Sequence, residues 1–335
     1  MIINKNRYEK MEYRRLGKSG IKLPVMTLGL WHNFGANDDY ENCKEIIIEA
    51  FNNGITHFDL ANNYGPPAGS AEITFGKILK DGLMDYRDEL IITTKAGYGM
   101  WDGPYQTGGS RKYLISSLDQ SLERMGLSYV DIFYHHVPDK ETNLYETALA
   151  LRDIVLQGKA LYVGLSNYNG KQTKKMYKYF KELNVPYIIS QPSYSMLNRW
   201  IEDDSLLDVQ EEVGAGTVCF SVLAQGKLSN KYIDGIPEES RAKDKNNMFL
   251  NEKEIDENLR QFLISINSVA ISRKQTINEL ALCYVLNDKR ITSAIMGVRT
   301  LKQLKENIKV LDNLELSKDE MKILKEAILK YEKTK

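Results

Sequence analysis

The sequence predicts a single closed (β/α)8 barrel of the TIM type, with eight parallel strands wrapped by helices. Three observations carry that prediction. Short apolar runs rich in β-branched residues recur along the chain, as parallel strands buried on both faces require. They alternate with segments of helical period, which is the pattern of an α/β fold. No glycine-rich dinucleotide fingerprint follows any of them, which argues against an open doubly wound sheet.

Residues 1–12 read as an N-terminal extension and residues 13–335 as one barrel domain. Segment 13–23 reads as a hairpin turning at Lys18-Ser19-Gly20, suited to covering the bottom of a barrel. Strands are expected at 25–30, 55–58, 90–94, 130–134, 160–165, 186–190, 216–220 and 292–296. Helix 41–53 places Ile46, Ile47 and Ala50 on one face and stops at Gly54, a suitable residue just past a helix end. Ser70 is the expected N-cap of helix 70–80. Helix 110–125 carries Leu114, Leu118, Ser121 and Leu122 at helical spacing and ends at Gly126, and helix 143–157 runs from a Thr142 cap to Gly158. Helices 171–183, 204–213, 275–287 and 301–311 complete the alternation. The rhythm breaks at 225–247, a long polar loop after the seventh strand. On that face a long loop reads as a lid or cofactor clamp, or as plain surface. Residues 248–269 read as an extra helix, and the tail beyond Leu316 as an amphipathic one.

Composition excludes several function classes. Apolar residues make up 42% and charged residues 27%, ordinary for a globular protein. A formal net charge of zero offers no bulk attraction for nucleic acid or an anionic membrane. No apolar run approaches the roughly 20 residues of a membrane span, and MIINKNRYEKMEYRR lacks the apolar core of a signal peptide. Cys43, Cys219 and Cys283 are scattered, which suits neither a disulfide framework nor a zinc site. A cytoplasmic protein without a metal is the expectation.

The chemistry gathers at strand ends. Asp59 and Tyr64 follow the ITHF run, Lys95 ends LIITTK, and His135 and His136 follow VDIFY. In a parallel barrel these ends converge on one face. Reduction of a carbonyl needs a proton donor for the oxygen that becomes an alkoxide. Tyr64 is the candidate donor. A free tyrosine is a poor acid near neutrality, and the ammonium of Lys95 is expected to lower its pKa. Asp59 can hold Lys95, and a histidine can orient the carbonyl. Each residue has a plainer reading alone: Asp59 as a cap, Tyr64 as one of 20 tyrosines, Lys95 as a surface lysine, the histidine as a satisfied interior group. Their joint placement after strands two, three and four is what points to catalysis. Because side chains alternate along a strand, only one of His135 and His136 should face the barrel mouth.

The strings GITHFDLANNYGPPAGSAE, ELIITTKAGYGMW, LERMGLSYVDIFYHH and GKALYVGLSNY resemble the aldo-keto reductase superfamily, over about Tyr13 to Leu314. GLWHNFG, NNYGPP and QPSYSMLNRW are most similar to the branch of bacterial L-glyceraldehyde 3-phosphate reductases, which is related to the β subunits of voltage-gated potassium channels. The resemblance implies NADPH as cofactor, no metal, and a tetrad of Asp59, Tyr64, Lys95 and His136, with His135 as the alternate. It implies that Ser166, Asn167 and Gln191 hold the nicotinamide carboxamide, that Phe220 stacks on the ring, and that Trp31 and Asp59 lie against the cofactor. Ser221, Leu223 and Gly226 would pass over the pyrophosphate, and Lys231 and Arg241 would contact phosphates. Gly297, Arg299, Gln303, Glu306 and Asn307 match the adenosine end, beside a helix N-terminus that suits an anion. Many relatives carry Lys in place of Gly297 and Arg in place of Gln303. Arg299, Lys302, Lys231 and Arg241 are the cations that could replace them in selecting NADPH over NADH.

Trp31, Tyr64, Trp101 and His136, with Trp200 beyond them, are the expected substrate lining. Arg199 either engages an anionic substrate or pairs with Glu202 or Asp203. The leading expectation is reduction of a small aldehyde or ketone such as glyceraldehyde 3-phosphate or methylglyoxal, in a chain able to self-associate. A cofactor-loaded regulatory subunit and a Schiff-base aldolase barrel are the alternatives. An intact Tyr, Lys, Asp and His set speaks for turnover.

Overall fold

The computed structural model describes residues 2–243 and 249–334. A two-stranded antiparallel hairpin, β1 (Tyr13–Arg15) and β2 (Lys22–Pro24), comes first. In chain order follow β3 (Met26–Gly29), α1 (Tyr40–Asn52), β4 (His57–Asp59), α2 (Ser70–Ile78), β5 (Ile91–Ala96), α3 (Arg111–Met125), β6 (Val130–His135), α4 (Leu144–Leu156), β7 (Ala160–Ser166), α5 (Gly170–Glu182) and β8 (Tyr187–Gln191). Next are α6 (Trp200–Asp203), α7 (Leu206–Val213), β9 (Gly216–Cys219), α8 (Glu257–Ser272), α9 (Ile277–Asn287), β10 (Ile291–Met296), α10 (Leu301–Ile308) and α11 (Lys318–Glu332). The parallel strands close in the order β10-β3-β4-β5-β6-β7-β8-β9, the expected eight-stranded barrel.

The chain divides into two compact units. One comprises Met1–Pro192, Ile201–Phe220 and Arg290–Leu304, and the other Ser193–Trp200, Ser221–Lys289 and Lys305–Lys335. The barrel belongs wholly to the first. Its strands are almost uniformly buried, as near-continuous apolar runs demand. Leu16 and Leu23 of the hairpin are fully buried and pack with Ile132, Tyr134, Ile188, Ile189, Val218 and Ile295 of the strands. In the second unit α8 packs on α11, with the rings of Phe262 and Tyr331 5.1 Å apart. Arg273 after α8 donates to Glu320 of α11 at 2.9 Å and to the carbonyl of Asn313.

Several expected ends move. Helix α1 stops as expected, with Gly54 at φ +82°. Gly69, at φ +87°, takes the N-cap position of α2 in place of Ser70, whose hydroxyl donates to the Pro67 carbonyl at 2.6 Å. Asn143 caps α4 by accepting from the N–H of Tyr145 at 2.9 Å, while the Thr142 hydroxyl donates to Asp139 at 2.6 Å. The stretch expected as helix 301–311 tightens after Ile308 into a 3₁₀ turn over Lys309–Asn313. The loop expected at 225–247 contains 3₁₀ turns at Asn230–Tyr232 and Arg241–Lys243, and Leu228, Tyr232 and Ala242 are buried. Residues 244–247, and Met248 at the expected start of the extra helix, lie outside the described residues. That helix begins at Glu257, where Asp256 accepts from the N–H of Leu259 at 2.8 Å, because Glu252–Glu254 form a separate capped turn.

Candidate active site

The strand ends deliver the candidate residues to one point. In the barrel register Asp59 of β4 lies beside Thr93 of β5, and Lys95 lies beside Tyr134 of β6. Beyond β4 the chain turns tightly: the N–H of Asn62 donates to the Lys95 carbonyl at 2.9 Å and that of Tyr64 to Ala61 at 3.1 Å. This turn brings Tyr64 back over β5. The Lys95 ammonium is fully buried and donates to Asp59 Oδ2 at 2.6 Å, to the Leu60 carbonyl at 2.6 Å and to the Tyr64 hydroxyl at 3.2 Å. Three acceptors match its three protons. Asp59 Oδ1 accepts from the Thr93 hydroxyl and from Gln191 Nε2, each at 2.9 Å.

His135 and His136 point opposite ways. His135 Nδ1 pairs with the Tyr168 hydroxyl at 2.6 Å, under Gly109. His136 sets its ring edge against Tyr64, with centroids 6.0 Å apart, and against Tyr98 at 4.7 Å. The structure thus brings Asp59, Lys95, Tyr64 and His136 together and leaves His135 outside the group. Tyr98 was not singled out from sequence, although it lies three residues after Lys95 in TTKAGYG.

Electrostatics follow burial. Burial pushes the Tyr64 phenol well above its ordinary value, helped by the charge of Asp59 and by Tyr98. The net shift runs opposite to the lowering expected of Lys95. The ammonium lies close, but Asp59 at 2.6 Å offsets its charge, and desolvation of a phenolate dominates. Burial likewise pulls Lys95 down against the opposing pull of Asp59. His136 is held well below the usual imidazole range by burial, then by Lys95 and His135. The resting site therefore holds a protonated phenol and a neutral imidazole.

Of the expected cofactor residues, Ser166, Asn167, Gln191, Phe220, Gly297, Arg299 and Gln303 belong to the first unit. Ser166 ends β7 and its hydroxyl donates to the Gln191 carbonyl at 2.9 Å. Asn167, at φ +60°, donates from Nδ2 to the His136 carbonyl at 2.9 Å. Phe220 follows β9 half-buried, its N–H on the Pro192 carbonyl at 3.0 Å. Beside Gly297 a Cβ would meet nothing within 4 Å. The N–H of Arg299 donates to Gln303 Oε1 at 2.8 Å. Ser221, Leu223, Gly226, Lys231, Arg241, Glu306 and Asn307 belong to the second unit. There Gly226 sits at φ +89°, the Ser221 hydroxyl accepts from Gln225 at 3.1 Å, and Asn307 is buried on α10. Burial, then Arg241, lowers the Lys231 pKa, so two cations feel one another.

The tryptophans separate. Trp31 is half-buried with its ring 6.3 Å from that of Tyr64. Trp101 packs on Tyr113 at 5.1 Å, and Tyr113 in turn donates to the Tyr98 carbonyl. Trp200 lies in the second unit and donates from Nε1 to the Ser193 carbonyl at 2.8 Å. Arg199 donates to Glu332 at 2.9 Å, where the last turn of α11 reaches it. Among the described residues no group of three His, Cys, Asp or Glu side chains could hold a metal ion, and no described helix is long and apolar enough to cross a membrane.

The sequence profile of the Aldo/keto reductase family matches residues 25–329. Two proteins named L-glyceraldehyde 3-phosphate reductase, from Escherichia coli O157:H7 and from Escherichia coli strain K12, are each 50% identical to this chain over 322 residues. Each alignment covers 96% of this chain and 93% of the relative. Sharing half its residues with such proteins along nearly its whole length, and folded as the eight-stranded barrel, the chain belongs to the aldo/keto reductase family and is an oxidoreductase of that type, acting on small aldehydes or ketones.

Proposed function

We propose that the protein reduces a small aldehyde of the glyceraldehyde 3-phosphate or methylglyoxal class with NADPH, and that Tyr64 is the proton donor. The observation that carries this reading is the buried contact of the Tyr64 hydroxyl with Lys95 Nζ at 3.2 Å, itself anchored by Asp59 at 2.6 Å. The half identity to proteins named L-glyceraldehyde 3-phosphate reductase supports the substrate class.

The residues present fit a nicotinamide. Hydroxyl and amide groups of Ser166, Asn167 and Gln191 gather at the ends of neighbouring strands β7 and β8, and the partly exposed ring of Phe220 follows β9 next to them. Those amides would hold the carboxamide and Phe220 would offer an apolar face to the ring. Arg299 and Lys302, at the start of α10, favour a phosphorylated adenosine, hence NADPH. When bound, the nicotinamide supplies a hydride to the carbonyl carbon.

The chain's own groups do the rest. Tyr64 keeps its proton because burial penalises the phenolate, and gives it up only as negative charge builds on the carbonyl oxygen. The Lys95 ammonium then lies 3.2 Å from the new phenolate and stabilises it. Asp59 holds that ammonium in place. His136, a neutral imidazole beside the Tyr64 ring, would orient the oxygen.

Loss of NADPH absorbance with glyceraldehyde 3-phosphate or methylglyoxal tests the reading. Tyr64→Phe is expected to cut turnover by roughly 10²–10⁴-fold while NADPH still binds. Tight NADPH binding with no turnover of any carbonyl would favour a regulatory subunit, and failure to bind either nicotinamide would overturn the cofactor assignment.

A further inference from the structure

One layer below the tetrad, a run of polar side chains crosses one side of the otherwise largely apolar barrel interior. His57 precedes Asp59 by two residues on β4, and Thr93 precedes Lys95 by two on β5, so each faces the same way as its catalytic neighbour. His57, Thr93, Thr27 of β3 and Ser293 of β10 are all fully buried. They form a continuous chain across four adjacent strands. Ser293 Oγ lies 2.8 Å from Thr27 Oγ1, which lies 2.8 Å from His57 Nδ1. His57 Nε2 lies 3.3 Å from Thr93 Oγ1, and Thr93 Oγ1 lies 2.9 Å from Asp59 Oδ1.

Proton counting gives this chain a direction. Asp59 is already committed to Lys95 through Oδ2, and a carboxylate oxygen only accepts. The single hydroxyl proton of Thr93 points at Asp59 Oδ1 at 2.9 Å rather than at the more distant Phe58 carbonyl at 3.4 Å, and on either acceptor it is spent away from His57. Thr93 can then only accept from His57, which places the imidazole proton on Nε2 and leaves Nδ1 to accept from Thr27. Thr27 in turn accepts from Ser293. Burial pushes His57 down to about 4, so it stays neutral near pH 7 and one tautomer suffices.

We propose that Thr93, backed by His57, is a positioning residue for the reduction. Its hydrogen bond, beside that of Gln191 Nε2, holds Asp59 Oδ1, which turns Oδ2 to Lys95 and so sets the ammonium under the Tyr64 hydroxyl. Neither residue touches the reacting atoms. The inference rests on the reductase reading above.

Protein labelled with ¹⁵N-histidine tests it without turnover, since the chain has only four histidines. His57→Gln identifies the His57 signals by their loss. The ligand-free wild type is expected to carry the His57 proton on Nε2 at neutral pH, and a proton on Nδ1 would overturn the proposal. In turnover, Thr93→Val is expected to lower kcat by roughly 10-fold, the order for one lost hydrogen bond to a buried charge. The KM for NADPH should stay unchanged, and Thr93→Ser should restore kcat. Thr93→Ala replaces the valine variant if that one does not fold. If Tyr64→Phe silences the enzyme while Thr93→Val and Thr93→Ala turn over like wild type, the positioning role fails and the reductase reading stands. If wild type itself reduces no carbonyl, both fall.

Discussion

A phenol with a raised pKa is the right state for giving a proton, and the consequence appears in the pH profile. Because burial lifts Tyr64 well above its ordinary value, its proton is present across neutral and moderately alkaline pH. Carbonyl reduction should therefore hold its kcat from about pH 6 to about pH 9, and steady-state rates over that range check it. A fall centred near neutrality would mean that the phenol titrates there. Asp139 sets a different limit. Burial opposes its charge, but hydrogen bonds from Thr142 and from the N–H groups of Gly109 and Glu141 outweigh it and hold the carboxyl at about 2, below the ordinary 3.8. A depressed carboxyl stabilises the fold above its unfolded pKa and loses that contribution as pH falls toward the folded value. Asp139→Ala should thus be less stable at neutral pH and lose less on acidification, as denaturant titrations at about pH 7 and about pH 3 would read. Asp59, Tyr64, Lys95 and His136 stood out in the sequence because reactive side chains ended apolar runs. Thr93 and His57 did not, since a threonine within a strand reads as an ordinary β-former. Their value comes from partners on other strands.

At the scale of elements, the strands were legible to within a residue or two, because buried parallel strands write themselves as apolar runs. Caps were less legible. Ser70 and Thr142 have the right chemistry for an N-cap, but each hydroxyl finds a nearer acceptor in its own loop. Helix α2 owes its seat to a charged residue. Glu72, fully buried, accepts from Thr94 of β5 at 2.5 Å and from Arg124 of α3 at 2.7 Å. One carboxylate thereby ties two helices to the strand that carries Lys95. Glu72→Ala strands a largely buried guanidinium, and should cost about 3–5 kcal/mol of stability in chemical denaturation. A double variant that also removes Arg124 should recover part of that loss.

For the molecule as a whole, barrel closure joins β10 to β3, and the hairpin lies against residues at the start of β9. Gly17, at φ +56°, abuts the backbone of residues 214–215 so closely that a Cβ there would lie 2.6 Å from the Ala215 carbonyl carbon. Gly17→Ala should therefore destabilise the protein by about 2 kcal/mol or more, read as a lowered thermal midpoint with catalysis little changed in the folded fraction. Element type and the candidate catalytic side chains were written locally, because apolar period and strand-end chemistry are properties of neighbours in the chain. The sign of the Tyr64 shift, the choice between His135 and His136 and the polar layer under Asp59 were not. Each depends on burial and on partners tens or hundreds of residues away, and no local pattern carries the desolvation that only a closed barrel imposes.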